Sequence, residues 1–271
     1  MANEAKKILV SLTPSESKRL IAKGVRNLDE VQRALKRGTV VIGLGTTNAY
    51  VVEEILDEVS GTEGRAVTQI DKQRYAAGVI TDRGTCVVTK EERAKEVVIK
   101  NGKISDTSIE EAIESLSAED VFIKGANALD AAGNAGILMA NTSGGTIGSA
   151  LGTVMARGVN FIIPVGIEKT IPYPVTEAAK RVGTERFFKS VGMPVGLMPV
   201  HGKIITEIEA LKILGAADAF PIGAGGVDGG EGSVVICAEG TAEKMEALMR
   251  VISQIKGEAR VKVVSVECVT R

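Results

Sequence analysis

Residues 43–48, with the sequence GLGTTN, lie between an apolar run and a segment of helical periodicity. Backbone N–H groups at the start of a helix can bind an anion, and the hydroxyls of Thr46 and Thr47 would add hydrogen-bond donors. A second interpretation is that Gly43 and Gly45 only permit the turn from strand to helix. The segment alone leaves both interpretations open.

Three further segments place polar side chains after apolar runs. The run DVFI is followed by KGANALD, which contains Lys124, Asn127 and Asp130, and the run FIIPVGIE is followed by Lys169. A loop of small residues precedes a Gly- and Ala-rich helical pattern and consists of Asn141, Thr142, Ser143, Gly144, Gly145 and Thr146. Because open α/β sheets bind ligands beyond the carboxyl ends of their strands, we expect these loops to meet at one site.

The same residue types also have structural roles that require no ligand. A single lysine at a strand end commonly extends its charged group into water, which is one interpretation of Lys124. Asparagine is common in glycine-rich turns, which is one interpretation of Asn127 and Asn141. The interpretation as a binding site therefore depends on convergence, since three loops with small polar residues follow three predicted parallel strands.

Two other segments have open interpretations. The only histidine of the sequence, His201, could act as a general acid or base with Lys203 nearby, but a histidine beside a glycine is also typical of a surface loop. The glycine-rich segment 223–233 could be a mobile flap, an anion-binding backbone or a flexible hairpin. Asp228 and Glu231 favour the hairpin, because carboxylates are poor neighbours for a phosphate.

The alternation of apolar runs, loops and helical patterns predicts an α/β fold with an open, mostly parallel, doubly wound sheet. Residues 75–105 form an exception, because short apolar runs alternate there with turn signals. Asn101-Gly102 suits a type I′ hairpin turn, so we predict an antiparallel insertion. The C-terminal pattern βαββαβ predicts an α+β ferredoxin-like domain. We therefore predict two domains, residues 1–190 and residues 191–271.

Charge and hydropathy exclude some partners. The chain has 271 residues, with 33 Lys plus Arg against 34 Asp plus Glu, and a formal net charge of -1. No overall field attracts nucleic acid or an anionic membrane surface, and neither is a predicted partner. No run reaches the ~18 apolar residues of a membrane span, and the first residues lack the pattern of a signal peptide, so we predict a cytoplasmic protein.

The three cysteines, Cys86, Cys237 and Cys268, form no CxxC pair, and their odd number argues against a disulfide framework and for a reducing compartment. With one histidine and no cysteine cluster, no metal site is predicted. A full dinucleotide-binding fingerprint is absent, and no cofactor is predicted. The plentiful apolar residues permit a homo-oligomer but do not specify one.

Four motifs occur in the order of a known superfamily: TVVIGLGTTNAYVVEEIL, DVFIKGANALD, NTSGGTIGS and FIIPVGIEK. Together they resemble the superfamily of ribose-5-phosphate isomerase type A, glucosamine-6-phosphate deaminase and coenzyme A transferases. The likeness covers residues 38–169. It implies an α/β domain with a phosphate-binding loop after the first strand, and Lys169 resembles an anion-contacting lysine of the isomerase.

The departures from the isomerase pattern limit what the resemblance implies. Lys124 and Asn127 stand where the isomerase has two aspartates, and the helix after Gly145 carries no carboxylate. Moving a proton between adjacent carbons needs a base within hydrogen-bond reach. The lysine of the isomerase glycine loop is also absent. The resemblance therefore supports an anionic small-molecule site, and we do not expect classical ribose-5-phosphate isomerase activity.

Our first functional hypothesis is an enzyme, with isomerases and transferases among the open classes, that acts on a phosphorylated or carboxylated metabolite at the carboxyl edge of the sheet. The candidate catalytic residues are Lys124, Asn127, Asp130 and His201. The candidate ligand-binding residues are Gly43, Gly45, Thr46, Thr47, Asn48, Asn141, Thr142, Ser143, Gly144, Gly145, Thr146 and Lys169.

A second hypothesis is a regulatory module that binds a metabolite without converting it. The sequence Gly45-Thr46-Thr47-Asn48 aligns with the acidic-Ser-Gly-Thr-Thr-Thr loop of sugar-phosphate-sensing repressor domains that resemble this superfamily. The short helical region before Gly38 contains no helix-turn-helix, which weakens a role in reading DNA. A third hypothesis is an assembly or scaffold protein in which these loops are structural.

Overall fold

The structure of the protein is a computed structural model that describes residues 5–60 and 70–269, with the side chains of residues 59 and 60 left out. Within these ranges the chain is a mixed α/β protein with eight α-helices and four sheets. The helices are α1 (Pro14–Arg26), α2 (Asp29–Arg37), α3 (Thr46–Ser60), α4 (Ile109–Ser115), α5 (Gly145–Arg157), α6 (Val175–Arg181), α7 (Glu207–Ile213) and α8 (Ala242–Ile255).

The strands are mostly short. The strands are β1 (Lys6–Leu12), β2 (Thr39–Ile42), β3 (Gly78–Thr81), β4 (Gly84–Val88), β5 (Val97–Lys100), β6 (Lys103–Ser105), β7 (Val121–Ile123), β8 (Ala128–Leu129), β9 (Ala135–Met139), β10 (Asn160–Pro164), β11 (Gly196–Val200), β12 (Lys203–Ile205), β13 (Asp218–Gly225), β14 (Ser233–Gly240) and β15 (Val266–Glu267). Two 3-10 turns lie between elements: Lys90–Glu92 between β4 and β5, and Ile167–Lys169 after β10.

The largest sheet has six strands in the order β12-β10-β7-β2-β5-β6. Neighbouring strands from β12 to β2 are parallel, and β5 and β6 join antiparallel at one side. The parallel strands read as continuous apolar runs because both of their faces are covered: Val40 and Ile42 belong to one buried cluster and Val41 to another. The predicted mixture of a mostly parallel sheet with antiparallel strands is therefore confirmed.

Helices cover this sheet on both faces. Helices α1, α2, α3, α7 and α8 contribute apolar residues to the cluster that contains Ile42, whereas α4 and α5 contribute to the cluster around Val41 and Phe122. Helix α1 starts at a capping box in which Thr13 and Glu16 each bond the other's backbone N–H, as the sequence pattern TPSE favours. The carboxyl ends of β2, β7 and β10 thus emerge from a core that is packed on two sides.

The predicted antiparallel insertion is present as two hairpins, β3–β4 and β5–β6. Asn101 and Gly102 both have positive φ values, 48° and 74°, as a type I′ turn requires, so the predicted hairpin is confirmed. Strand β4 pairs on its other side with β15, and this pairing brings Cys86 and Cys268 together in a disulfide. The expectation of no disulfide is therefore wrong for these two cysteines, because their approach depends on a strand pair distant in sequence.

The C-terminal strands pair differently from the ferredoxin-like sheet that we predicted. Strand β11 pairs with β9, β12 with β10, β15 with β4, and β14 lies between β13 and the N-terminal strand β1. Four of these strand pairs therefore join residues on the two sides of residue 191. The predicted boundary there stays a prediction. No helix in the described part of the chain is long and apolar enough to cross a membrane.

Candidate functional site

The loops after β2, β7, β9 and β10 meet at one cavity of about 230 Å³. Strands β3, β4 and β9, the segment between β4 and β5, and the segment before β11 also contribute to its wall. Most of the predicted site residues line it. Those residues are Gly45, Thr46, Thr47, Asn48, Lys124, Asn127, Asn141, Gly144, Gly145, Thr146 and Lys169. These residues come from separate loops and line one cavity.

Helix α3 begins at this cavity, and its first backbone N–H groups have no acceptor within the helix. Thr47 and Asn48 are buried, with 2% and 0% of their surface exposed. The hydroxyl of Thr47 and the Oδ1 atom of Asn48 have no hydrogen-bond partner, although Asn48 Nδ2 donates to Gly43 O at 2.7 Å. Leaving a buried polar atom unpaired costs about 1–3 kcal/mol, and a bound ligand or water would remove that cost.

Helix α5 also begins at the cavity, directly after the glycine loop. Gly144 and Gly145 have positive φ values of 83° and 56°, a backbone conformation that favours glycine at both positions. The Oδ1 atom of Asn141 accepts the N–H of Ser143 at 2.8 Å, which is the turn-forming role of asparagine. Asn141 therefore shapes the loop and also lines the cavity.

Lys124 follows β7 and lies on the cavity wall, where it is partly exposed. Its Nζ atom donates to the carbonyl oxygen of Leu44 at 2.7 Å. The stem of the lysine crosses Gly43, because a Cβ atom at that position would lie 3.0 Å from Lys124 Cδ. Burial, assisted by the charge of Lys169 and opposed by the larger effect of the charge of Glu96, lowers the pKa of Lys124 to about 8.

Lys169 comes from the 3-10 turn that follows β10. Its Nζ atom donates to Ala126 O at 2.9 Å, so both lysines are held by backbone carbonyl groups of the neighbouring loops. Burial also lowers the pKa of Lys169, against the attraction of the carboxylates of Glu168 and Glu207. Each ammonium group keeps further N–H donors for a ligand, because lysine carries three.

The charges around the cavity favour an anion. Two helix N-termini, two lysines and Arg93 face it, and Glu96 is the one carboxylate among the described residues that line it. The remaining wall combines uncharged polar side chains such as Thr85 with apolar ones such as Val79, Met139 and Met193. The cavity thus suits a small anion-bearing molecule with a less polar portion.

Other predicted residues lie outside the cavity wall. Asp130 accepts hydrogen bonds from the backbone N–H groups of Ala132, Asn134 and Val175, so its carboxylate holds the β8–β9 turn and the start of α6. His201 is exposed in the loop between β11 and β12 and lines a different surface depression. The structure therefore differs from our interpretation of these two as candidate catalytic residues. Gly43, Thr142 and Ser143 do not line the cavity, and Thr142 and Ser143 are exposed in the loop before α5.

Sequence reasoning missed Arg93 and Glu96, which reach the cavity from the segment that joins the two hairpins of the antiparallel insertion. Arg93 Nε donates to Val88 O at 2.7 Å, which orients its guanidinium group. Charged residues next to a hairpin are usually solvated, so their types and spacing carried no signal. Their position depends on how the insertion folds over the carboxyl edge of the sheet.

A buried carboxylate pair lies behind Lys169. Glu207, the first residue of α7, is fully buried, and its Oε2 atom accepts the N–H of Ile167 at 2.9 Å. Glu207 Oε1 and Glu168 Oε2 are both buried without a hydrogen-bond partner, and Lys18 Nζ lies 3.7 Å from Glu168 Oε1. Burial, and secondly the charge of Glu168, raise the pKa of Glu207 to about 7.

No protein-family model matches the chain, and no curated protein and no solved structure matches it either.

Proposed function

We propose that the cavity binds an anionic small molecule, phosphorylated or carboxylated, and that the protein is an enzyme that acts on it. The observation that carries the proposal is the convergence of two helix N-termini and two lysines on one cavity, together with the unpartnered buried polar atoms of Thr47 and Asn48. Backbone N–H groups at helix starts and lysine ammonium groups are the donors that proteins use for phosphate and carboxylate groups.

The proposed superfamily relationship agrees with this placement. In the motif TVVIGLGTTNAYVVEEIL, the strand β2 leads directly into the helix α3 at the cavity, which is the arrangement that a phosphate-binding loop after a first strand requires. The position of Lys169 at the same cavity agrees with its likeness to an anion-contacting lysine. Classical ribose-5-phosphate isomerisation remains outside the proposal, because Asp130 is engaged in a turn.

A regulatory module that binds the same ligand without converting it is the second candidate. The engagement of Asp130 favours it, since the carboxylate that the resemblance would carry into catalysis has a structural role instead. The lowered pKa of Lys124 favours the enzyme, because perturbed groups in clefts are common among catalytic residues. Incubation of the protein with each binding ligand, followed by mass spectrometry of the small molecules, separates conversion from binding.

The binding proposal is tested by thermal shift with inorganic phosphate, phosphosugars, nucleotides, coenzyme A esters and carboxylates. The decisive variant is Thr47→Val, which keeps the shape of the side chain and removes a hydroxyl that has no partner in the free protein. We expect it to bind the anion at least about tenfold more weakly, the value of one lost hydrogen bond to a charged group. The matched control is Thr153→Val in α5, which does not line the cavity.

The stability of Thr47→Val without a ligand gives a second readout. Because the hydroxyl is unpaired in the free protein, we expect the variant to be as stable as the wild type or more stable. If no anion raises the melting temperature of the wild type, and if Thr47→Val and Lys169→Met bind every compound as the wild type does, the proposal is wrong.

A further inference from the structure

Lys124 is held at the cavity wall as a nucleophile would be. Its Nζ atom makes a single hydrogen bond, to Leu44 O, and forms no ion pair with any carboxylate in the described part of the chain. A lysine that serves only as a surface cation is normally solvated, and this one is held between the backbone of two strand-end loops. The donated hydrogen bond orients the amine, so that its lone pair is available to the cavity once a proton is lost.

The second lysine strengthens this interpretation. Lys169 follows the adjacent parallel strand, and its positive charge lowers the pKa of Lys124; the charge of Glu96 has a larger and opposite effect, so burial accounts for the net lowering. A neighbouring cation and removal from water are the two means by which proteins prepare an amine for attack. At neutral pH the uncharged fraction of Lys124 is about two orders of magnitude larger than that of an ordinary lysine.

We propose that Lys124 forms an imine with the carbonyl carbon of an aldehyde or ketone that also carries a phosphate or carboxylate group. The inference rests on the proposed function, because the anionic group would be bound by Lys169 and the start of α3 while the carbonyl carbon meets Lys124. It adds to that function a substrate class, the carbonyl-bearing anion, and a covalent role for one lysine. An anion without a carbonyl group would bind in the same cavity without reacting.

Formation of the imine needs no oxidant or reductant. The lone pair of the neutral amine forms a C–N bond to the carbonyl carbon, and the carbonyl oxygen takes up the displaced electron pair and a proton. The resulting carbinolamine then loses its hydroxyl group with a proton as water, and the nitrogen lone pair completes the C=N bond. Glu96, the lining carboxylate, is the group that can carry protons between the nitrogen and the departing oxygen.

Gly43 is a requirement of the same geometry. Its missing side chain leaves room for the Lys124 stem, because a Cβ atom would approach Lys124 Cδ to 3.0 Å. A Cβ atom at this position would crowd the stem, which would have to shift by a few tenths of an ångström. The glycine that introduces the first loop therefore contributes to the position of the nucleophile.

The test uses pyridoxal 5′-phosphate as an aldehyde that carries a phosphate, and pyridoxal as its matched compound without one. The intact protein is incubated with each probe, the imines are reduced with borohydride, and the labelled lysines are identified by peptide mass spectrometry. Lys36 and Lys262, both exposed, serve as internal references. We expect the phosphate-bearing probe to label Lys124 at least about tenfold faster than the references, since the uncharged fraction is larger, and faster than pyridoxal does.

Lys124→Arg removes the nucleophile, so we expect it to lose the labelled peptide of position 124 while Lys36 and Lys262 are labelled as in the wild type. Peptide mapping of the wild type decides the question even if that variant fails to fold. Labelling of Lys124 no faster than that of the references overturns the inference, and a phosphate-induced thermal shift in the same sample would show that the proposed function survives. Equal labelling of Lys124 by both probes overturns the anionic substrate class.

Discussion

Replacement of Glu207 by glutamine tests whether the carboxylate pair behind Lys169 holds a proton. Two carboxyl oxygens, Glu207 Oε1 and Glu168 Oε2, are buried without partners, and a proton on Glu207 would remove the repulsion between the two charges. Glutamine mimics the protonated acid, because it is neutral and its oxygen can still accept the N–H of Ile167. Ser17 and Lys18 of α1 are the other polar groups that face the pair.

The raised pKa of Glu207 determines how the free energy of unfolding changes with pH. The pKa of Glu207 rises from 4.5 to about 7 on folding, so the folded protein binds more protons than the unfolded chain between these values. The free energy of unfolding therefore falls as the pH rises through this window and is lowest, as far as this group is concerned, above about pH 7. A shift of that size corresponds to at most about 3 kcal/mol, at 1.36 kcal/mol per pKa unit.

The assay is chemical denaturation of the wild type and Glu207→Gln between about pH 5 and pH 8. We expect nearly equal stabilities at the acid end and a glutamine variant that is more stable, by up to about 3 kcal/mol, at the alkaline end. Glu246→Gln, an exposed change on α8, should differ from the wild type by the same amount at every pH. The reasoning is refuted if the difference in free energy of unfolding between Glu207→Gln and the wild type is the same at every pH. It is also refuted if that difference grows in favour of the wild type as the pH rises.

Three changes elsewhere test other parts of the structure. Reduction of the disulfide between Cys86 and Cys268 should expose two further thiols to a thiol reagent and lower the stability to denaturant by about 2–5 kcal/mol, because a long loop is released. Gly84→Ala should destabilise the fold by more than about 1 kcal/mol in the same assay, since φ is 109° and the new Cβ would lie 2.4 Å from Val191 O. Arg19→Met should lower the free energy of unfolding by about 3–5 kcal/mol, because Arg19 bonds three glutamates in a partly buried network; a loss under 1 kcal/mol would contradict this.

The candidate site could largely be predicted because its signals are local. Each loop follows its own strand directly, so an apolar run followed by Thr46, Lys124 or Lys169 was enough to place these residues at one edge of a parallel sheet. The same rule failed for Asp130, whose carboxylate bonds backbone N–H groups on both sides of its own loop. The residue type and its position after a strand do not show whether the side chain already forms hydrogen bonds with backbone groups.

The strand pairing of the C-terminal part could not be predicted because its partners lie far away in the sequence. The pattern βαββαβ is locally consistent with a ferredoxin-like unit, but β14 pairs with β1, near the other end of the chain. Strand β1 is the run KKILVSL, which is mostly apolar, but nothing in this run indicates that its partner is a strand near the C-terminal end. The disulfide was missed for the same reason, since Cys86 and Cys268 meet only through the pairing of β4 with β15.

A single 3-10 turn connects the two unusual clusters of titratable groups. Glu168 and Lys169 are adjacent in the turn Ile167–Lys169, and their side chains lie in the carboxylate pair and at the cavity wall, respectively. Glu207 holds the same turn through the N–H of Ile167, so the position of the lysine depends on a buried acid that does not line the cavity. Glu207 therefore acts on Lys169 in two ways, through the field of its charge and, whether charged or neutral, through the hydrogen bond that places the turn.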